Sequence, residues 1–154
     1  MTKKIILLDI DGVLSPLAIV DEKTFTVKIG DNHIIEIPER LINFIKEIKK
    51  HTVIWESTWG KDSNTLFKLL NLPDSKYLTY PRNRTNFNNG IWLKEPAISY
   101  FAKTHPDDSI LLLDDDVPSN SKLNDLSNLT ILVTNSKLGI TPNDEKTVNA
   151  WLIN

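Results

Sequence analysis

The sequence contains no cysteine, which excludes disulfides, thiolate metal sites and a cysteine nucleophile and leaves the compartment open on that count. It lacks an excess of charge of either sign. Eighteen Lys plus Arg stand against twenty Asp plus Glu, a formal charge of -2, so there is no global basic field to drive non-specific nucleic-acid binding, and any such contact must be local. No apolar run approaches the width of a bilayer. The first, Ile5 to Leu8, meets Asp9 after four residues, too brief for a signal peptide or a membrane span, and a cytoplasmic protein without a membrane partner is expected. No GxxxxGK[ST] segment occurs, which excludes a P-loop kinase, and there is no repeat, low-complexity tract or linker that would split the chain. The three histidines, His33, His51 and His105, are isolated and receive no catalytic role. What is present is the composition of a soluble globular protein, 154 residues with 40% hydrophobic and 25% charged, and it predicts a single domain over residues 1–154 with a real core.

The apolar runs Ile5 to Leu8, Thr52 to Trp55, Ile110 to Leu113 and Thr130 to Val133 are short and continuous, as for strands buried on both faces. Between them lie helical repeats: Leu41, Phe44, Ile45 and Ile48; more loosely Leu66, Phe67 and Leu70; and Ile98, Phe101 and Ala102 behind Pro96 in a first turn. Near the end, Thr141 caps a helix with Pro142 at its first position and Asp144 three residues on, and Val148, Trp151 and Leu152 form its buried stripe. Alternating strands and helices predict an α/β fold, a doubly wound and mainly parallel sheet. Two stretches depart from that alternation. Thr24 to Ile29 and His33 to Ile37 flank Gly30-Asp31-Asn32 and read as a β-hairpin flap projecting after the first strand. Asp74 to Asn89 is a polar loop in which Tyr77 to Tyr80 reads as a short strand.

Ligands of open α/β sheets bind at the carboxyl ends of the strands. Asp9 and Asp11 stand at the end of the first strand in LLDIDGVL, Trp55-Glu56-Ser57-Thr58-Trp59 ends the second and supplies hydroxyls, and Asp114-Asp115-Asp116 ends the later one. Carboxylates gathered at one edge repel one another unless a cation neutralises them, so the acids predict a metal. The donors are hard oxygens with no His or Cys near them, which favours Mg²⁺ over Zn²⁺. A hydroxyl, a lysine and a divalent cation around a free carboxylate suit a phosphoryl group. Residue by residue, blander readings exist: Lys94 taken alone is a solvated lysine, Asp114 to Asp116 could open a turn before a helix, and Trp55 and Trp59 read as packing residues before they read as a base-stacking platform.

The order DxDGV, strand-end Ser or Thr, Lys, then a hydrophobic run ending in Asp-Asp resembles the haloacid dehalogenase-like (HAD) superfamily, and the elements span Asp9 to Asp115. The Trp55–Trp59 motif, the Asp-Asp-Asp motif and the tail Leu138-Gly139-Ile140-Thr141 before Ala150-Trp151-Leu152 resemble the HAD domain associated with Swiss army knife RNA-repair proteins. The resemblance implies a Rossmann-like HAD fold and a phosphatase working through an aspartyl phosphate. Asp9 would be the nucleophile and Asp11 the general acid and base, its backbone carbonyl also a metal ligand. Ser57 would be the phosphate-binding hydroxyl, usually Thr in relatives, with Thr58 sharing the work, and Lys94 would hold the phosphate. Asp114 would ligate Mg²⁺ directly and Asp115 directly or through water, completing the metal set with Asp9 and Asp11; Asp116 would lie behind them or in solvent.

Many relatives carry a cap domain, but neither interval here is long enough for one, so the site is expected to be open to large substrates such as a polynucleotide end. Between Ser75 and Lys94 there is no Asp or Glu, and Lys76, Arg82 and Arg84 are interleaved with Tyr77, Tyr80, Phe87 and Trp92. Such a stretch can grip phosphates and stack bases, and equally it is an ordinary polar loop. Arg82, Arg84, Thr58 and Gly12 are therefore the candidate substrate contacts. The expected substrate is a phosphomonoester, a nucleic-acid terminus by resemblance, with no haem or nucleotide cofactor. The alternative is a non-catalytic module that binds a phosphorylated ligand or partner on the same fold. A response-regulator receiver shares the parts but has its paired acids first, whereas here Asp114-Asp115 follows Lys94.

Overall fold

The computed structural model describes residues 2–18, 21–71, 76–80, 87–88 and 91–154. Its centre is a five-stranded parallel sheet in the order β5-β4-β1-β8-β9, built from β1 (Lys4–Leu8), β4 (Thr52–Trp55), β5 (Lys76–Tyr77), β8 (Ser109–Asp114) and β9 (Leu129–Val133). The hairpin strands β2 (Thr24–Ile29) and β3 (His33–Pro38) pair antiparallel outside this sheet, as do the two-residue strands β6 (Phe87–Asn88) and β7 (Ile91–Trp92). The doubly wound α/β architecture and the flap are as the sequence predicts, and the described residues contain no cap domain.

Strand alternation divides the core into two layers. Ile6 and Leu8 of β1, Val53 and Trp55 of β4, and Leu111 and Leu113 of β8 face one side. There they meet α1 (Glu39–Ile48), Leu66 and Leu70 of α2 (Asn64–Leu70), Val148 of α4 (Pro142–Ile153), and Val27, Ile29, Ile35 and Ile37 of the hairpin. Ile5, Leu7, Ile54, Ile110 and Leu112 face the other side, against Ile98 and Ala102 of α3 (Glu95–Thr104). The α1 stripe Leu41, Phe44, Ile45 and Ile48 is buried, each side chain contributing about 1.5–3 kcal/mol. At α4 the Thr141 hydroxyl accepts from the Asp144 N–H while the Asp144 carboxylate accepts from the Thr141 N–H, a reciprocal cap.

The chain winds from β1 outward through β4 to β5, then crosses by α3 to β8 on the other flank of β1. The winding therefore reverses between β1 and β8, and the crevice at a reversal of this kind is where open α/β sheets bind ligands.

Candidate active site

Register places the acids. Leu8 pairs with Trp55 on one side and Leu113 on the other, and the ladder runs one residue further: Asp9 N–H donates to the Leu113 carbonyl at 3.1 Å and Glu56 N–H to the Leu8 carbonyl at 3.0 Å. Asp9 thus stands level with Glu56 and Asp114, and by alternation the three carboxylates turn to the face covered by α3. Lys94 occupies the N-cap position of that helix. Its ammonium donates to Asp9 Oδ2 at 2.7 Å and Asp114 Oδ2 at 2.5 Å and lies 3.3 Å from Glu56 Oε2. All four side chains are buried, Glu56 and Asp114 completely, and the Trp92 ring lies 5.9 Å from the ammonium.

Burial pushes Asp9 up to about 7, Lys94 pulling it down and Asp114 adding to the rise. Burial and the neighbouring Asp114 drive Glu56 well above its ordinary value, which favours its neutral form. Burial also opposes ionisation of Asp114, but the Lys94 ammonium and the donors around it outweigh that, and its carboxyl lies below the usual value. Among those donors is the Asp116 N–H, 2.6 Å from Asp114 Oδ1. Lys94 loses by desolvation and gains more from Asp9, Glu56 and Asp114, so it stays charged.

The remaining predicted residues form the rim. Asp11 is partly exposed, and its Oδ2 accepts from the indole N–H of Trp59 at 2.7 Å. Gly12 has φ +73°, and a Cβ there would collide with the Asp115 carboxylate, so the bare Cα lets Asp115 approach the turn after β1. Burial, then Asp116 and Asp114, push Asp115 up to about 6. Ser57 is buried at the end of β4, and its hydroxyl accepts from the Trp59 N–H at 3.4 Å. Thr58 lines an open cavity of about 320 Å³ with Trp59, Lys61, Tyr77 and Tyr80. Arg82 and Arg84 lie outside the described residues. A larger cavity, about 650 Å³, is lined by Lys46, Lys49 and Lys50 near the start of β4 and contains none of the predicted residues.

Two participants were not assigned from the sequence. Glu56, given no role by the motifs, is the third buried acid, and its Oε2 also accepts from the Tyr80 hydroxyl at 3.4 Å. Trp59 is neither plain packing nor a free stacking platform, since its N–H is committed to Asp11. The signal for Glu56 was its position: one residue past a strand that pairs with β1, it had to stand beside Asp9.

The convergence of Asp9, Lys94 and Asp114 on one crevice puts the sequence motifs into a single site, and comparison with protein families agrees. The family described as the HAD domain in Swiss Army Knife RNA repair proteins matches residues 5–144. The chain belongs to that family. The match runs from β1 into the first turn of α4 and includes every acid, hydroxyl and lysine described above. Comparison with curated proteins gives no match. Membership places this HAD domain in a superfamily of hydrolases and phosphatases. Its Asp9, Glu56 and Asp114 each offer a carboxylate oxygen, all within 4.8 Å of one another, so the buried acids can hold a cation. The donor set fits a hard divalent ion: oxygen ligands only, and three clustered carboxyls sharing one ammonium. None of the helices among the described residues is long and apolar enough to cross a membrane.

Proposed function

We propose that this HAD domain is a Mg²⁺-dependent phosphomonoester hydrolase that works through an aspartyl phosphate on Asp9 and acts on nucleic-acid ends. The observation that carries the reading is the Lys94 ammonium buried between Asp9 and Asp114 at the strand-order reversal: a nucleophile, a phosphate-binding cation and a metal-binding acid share one crevice.

An Asp9 carboxylate oxygen attacks phosphorus while the bond to the leaving oxygen breaks, and Asp11 passes its proton to that oxygen. Asp11, now a carboxylate, takes a proton from water as the water oxygen attacks phosphorus. The Asp9–phosphorus bond breaks, returning Asp9, protonated Asp11 and inorganic phosphate. Lys94 offsets the charge of the transferred group, and Ser57, Thr58 and the Gly12 turn orient its oxygens. Mg²⁺, which the family generally uses, would be held by Asp9, Asp114, the Asp11 carbonyl and Asp115, and would supply the positive charge that these acids lack.

Two features support a large substrate. The described residues place no cap over the rim, and the cavity beside Thr58 presents Lys61 with Tyr77, a cation with an aromatic face that suits phosphate and base. Arg82 and Arg84 are proposed as further substrate contacts. The test is a panel of nucleotides, sugar phosphates, phosphopeptides and 3′- or 5′-phosphorylated oligonucleotides, assayed with Mg²⁺ and with chelator. The reading expects metal-dependent release of phosphate, fastest from oligonucleotides; absence of metal-dependent turnover across the panel rejects it.

A further inference from the structure

Asp11 stands apart from the buried acids, on a turn, with a carboxylate that two side-chain torsions could point in several directions. Trp59 removes that freedom. Its indole N–H meets Asp11 Oδ2 at 2.7 Å, and among the described residues nothing hydrogen-bonds the other oxygen, Oδ1. An indole is a donor only and does not titrate. It can orient a carboxyl group without competing for its proton.

Trp59 is itself fixed from both ends. Its N–H reaches the Ser57 hydroxyl at 3.4 Å and its carbonyl accepts from Asp62 N–H at 3.1 Å. The ring packs at 4.7 Å and 36° against His33 at the start of β3, and its edge lies 3.8 Å from where a Gly30 Cβ would stand in the hairpin turn. The flap therefore holds the indole, and the indole holds Asp11. Asp11 also lines a cavity of about 360 Å³ whose walls include Ser15, Leu17, His33 and Ile34, which is room for a leaving group.

We infer that Trp59 is a positioning residue for proton transfer by Asp11: it aims Oδ1 at the leaving oxygen, and the β2–β3 flap keeps it in place. This rests on the acid–base role proposed for Asp11, and the two can fail separately. Trp59→Phe keeps an aromatic side chain at the position and removes the N–H. A hydrogen bond to a neutral carboxyl is worth about 2- to 10-fold, felt only where the leaving oxygen needs a proton. Comparing kcat/KM of wild type and Trp59→Phe on dinitrophenyl phosphate, phenyl phosphate and an alkyl phosphate should therefore show a loss of about 10-fold for the alkyl ester, a smaller one for phenyl, and less than about twofold for dinitrophenyl.

A second readout needs no turnover. In ¹H–¹⁵N spectra the Trp59 indole resonance, assigned by its disappearance in Trp59→Phe, should shift in Asp11→Ala toward the position of a water-exposed indole. An unresponsive resonance overturns the inference whatever the kinetics. A responsive one with an equal loss on all three esters also overturns it, because that is the mark of a merely structural residue. If wild type hydrolyses none of the esters, the functional reading falls and the inference falls with it, leaving only the contact.

Discussion

Removing the Lys94 charge is the sharpest perturbation of the buried site. Lys94→Met keeps a chain of similar length beside Trp92 but leaves Asp9 and Asp114 without the ammonium now at 2.7 and 2.5 Å. Deleting one partner of a buried ion pair costs about 3–5 kcal/mol, a large share of the roughly 5–15 kcal/mol that stabilises a domain of this size. The cost depends on pH, because carboxyls that lose their counter-ion escape part of it by taking up protons. Urea denaturation in chelator should show the full loss at about pH 8 and a clearly smaller one at about pH 5, with m unchanged so that the shift reports stability. Excess Mg²⁺ should return part of the loss by filling the charge deficit; a ligand at 100 times its Kd contributes about 2.7 kcal/mol. Glu56→Gln puts a neutral amide where burial favours the neutral acid and should cost far less than Lys94→Met. A Lys94→Met protein as stable as wild type at both pH values would refute the reasoning, since no buried ion pair could then exist.

The metal-free wild type should itself respond to pH. Burial raises Asp9 from 3.8 to about 7, so the folded state holds a proton that the unfolded chain releases. That contribution is complete below about pH 4 and is lost as pH rises through about 7, on the order of 4 kcal/mol for Asp9 alone, with Glu56 and Asp115 acting in the same direction; Asp114, lowered, acts only below this window. Stability of chelated protein that rises across this window contradicts the assignment. Gly12→Ala places a Cβ at φ +73° and against the Asp115 carboxylate, and should cost about 1–3 kcal/mol and weaken Mg²⁺ affinity in a calorimetric titration. Unchanged stability and affinity would show that Asp115 does not depend on the bare turn.

The frame of this fold was legible because its strands are buried on both faces. Ile5 to Leu8 and Ile110 to Leu113 can be nothing but central strands, and the structure extends them only to Lys4, Ser109 and Asp114. Thr141-Pro142 and Asp144 announced the α4 cap, and Gly30-Asp31-Asn32 the hairpin, since capping and tight turns are local chemistry. Tyr77 to Tyr80 was a poorer reading. The strand is Lys76–Tyr77, too short for any period to mark, and the pairing of Phe87–Asn88 with Ile91–Trp92 left no periodic trace either. At the site, the order of motifs gave Asp9, Lys94 and Asp114, whereas Glu56 needed the register of β4 on β1, a non-local quantity. Lys94 shows the same gap from the other side: alone it reads as a surface lysine, and only the three acids it meets explain why it is buried.

The account rests on phosphorus passing through Asp9, and trapping that intermediate tests it most directly. Rapid acid quench of the enzyme turning over a phosphorylated oligonucleotide with Mg²⁺, followed by borohydride reduction and peptide mass spectrometry, should convert Asp9 to homoserine, and Asp9→Asn should give neither label nor turnover. Phosphate release with Asp9 unmodified, or full activity in Asp9→Asn, would contradict it.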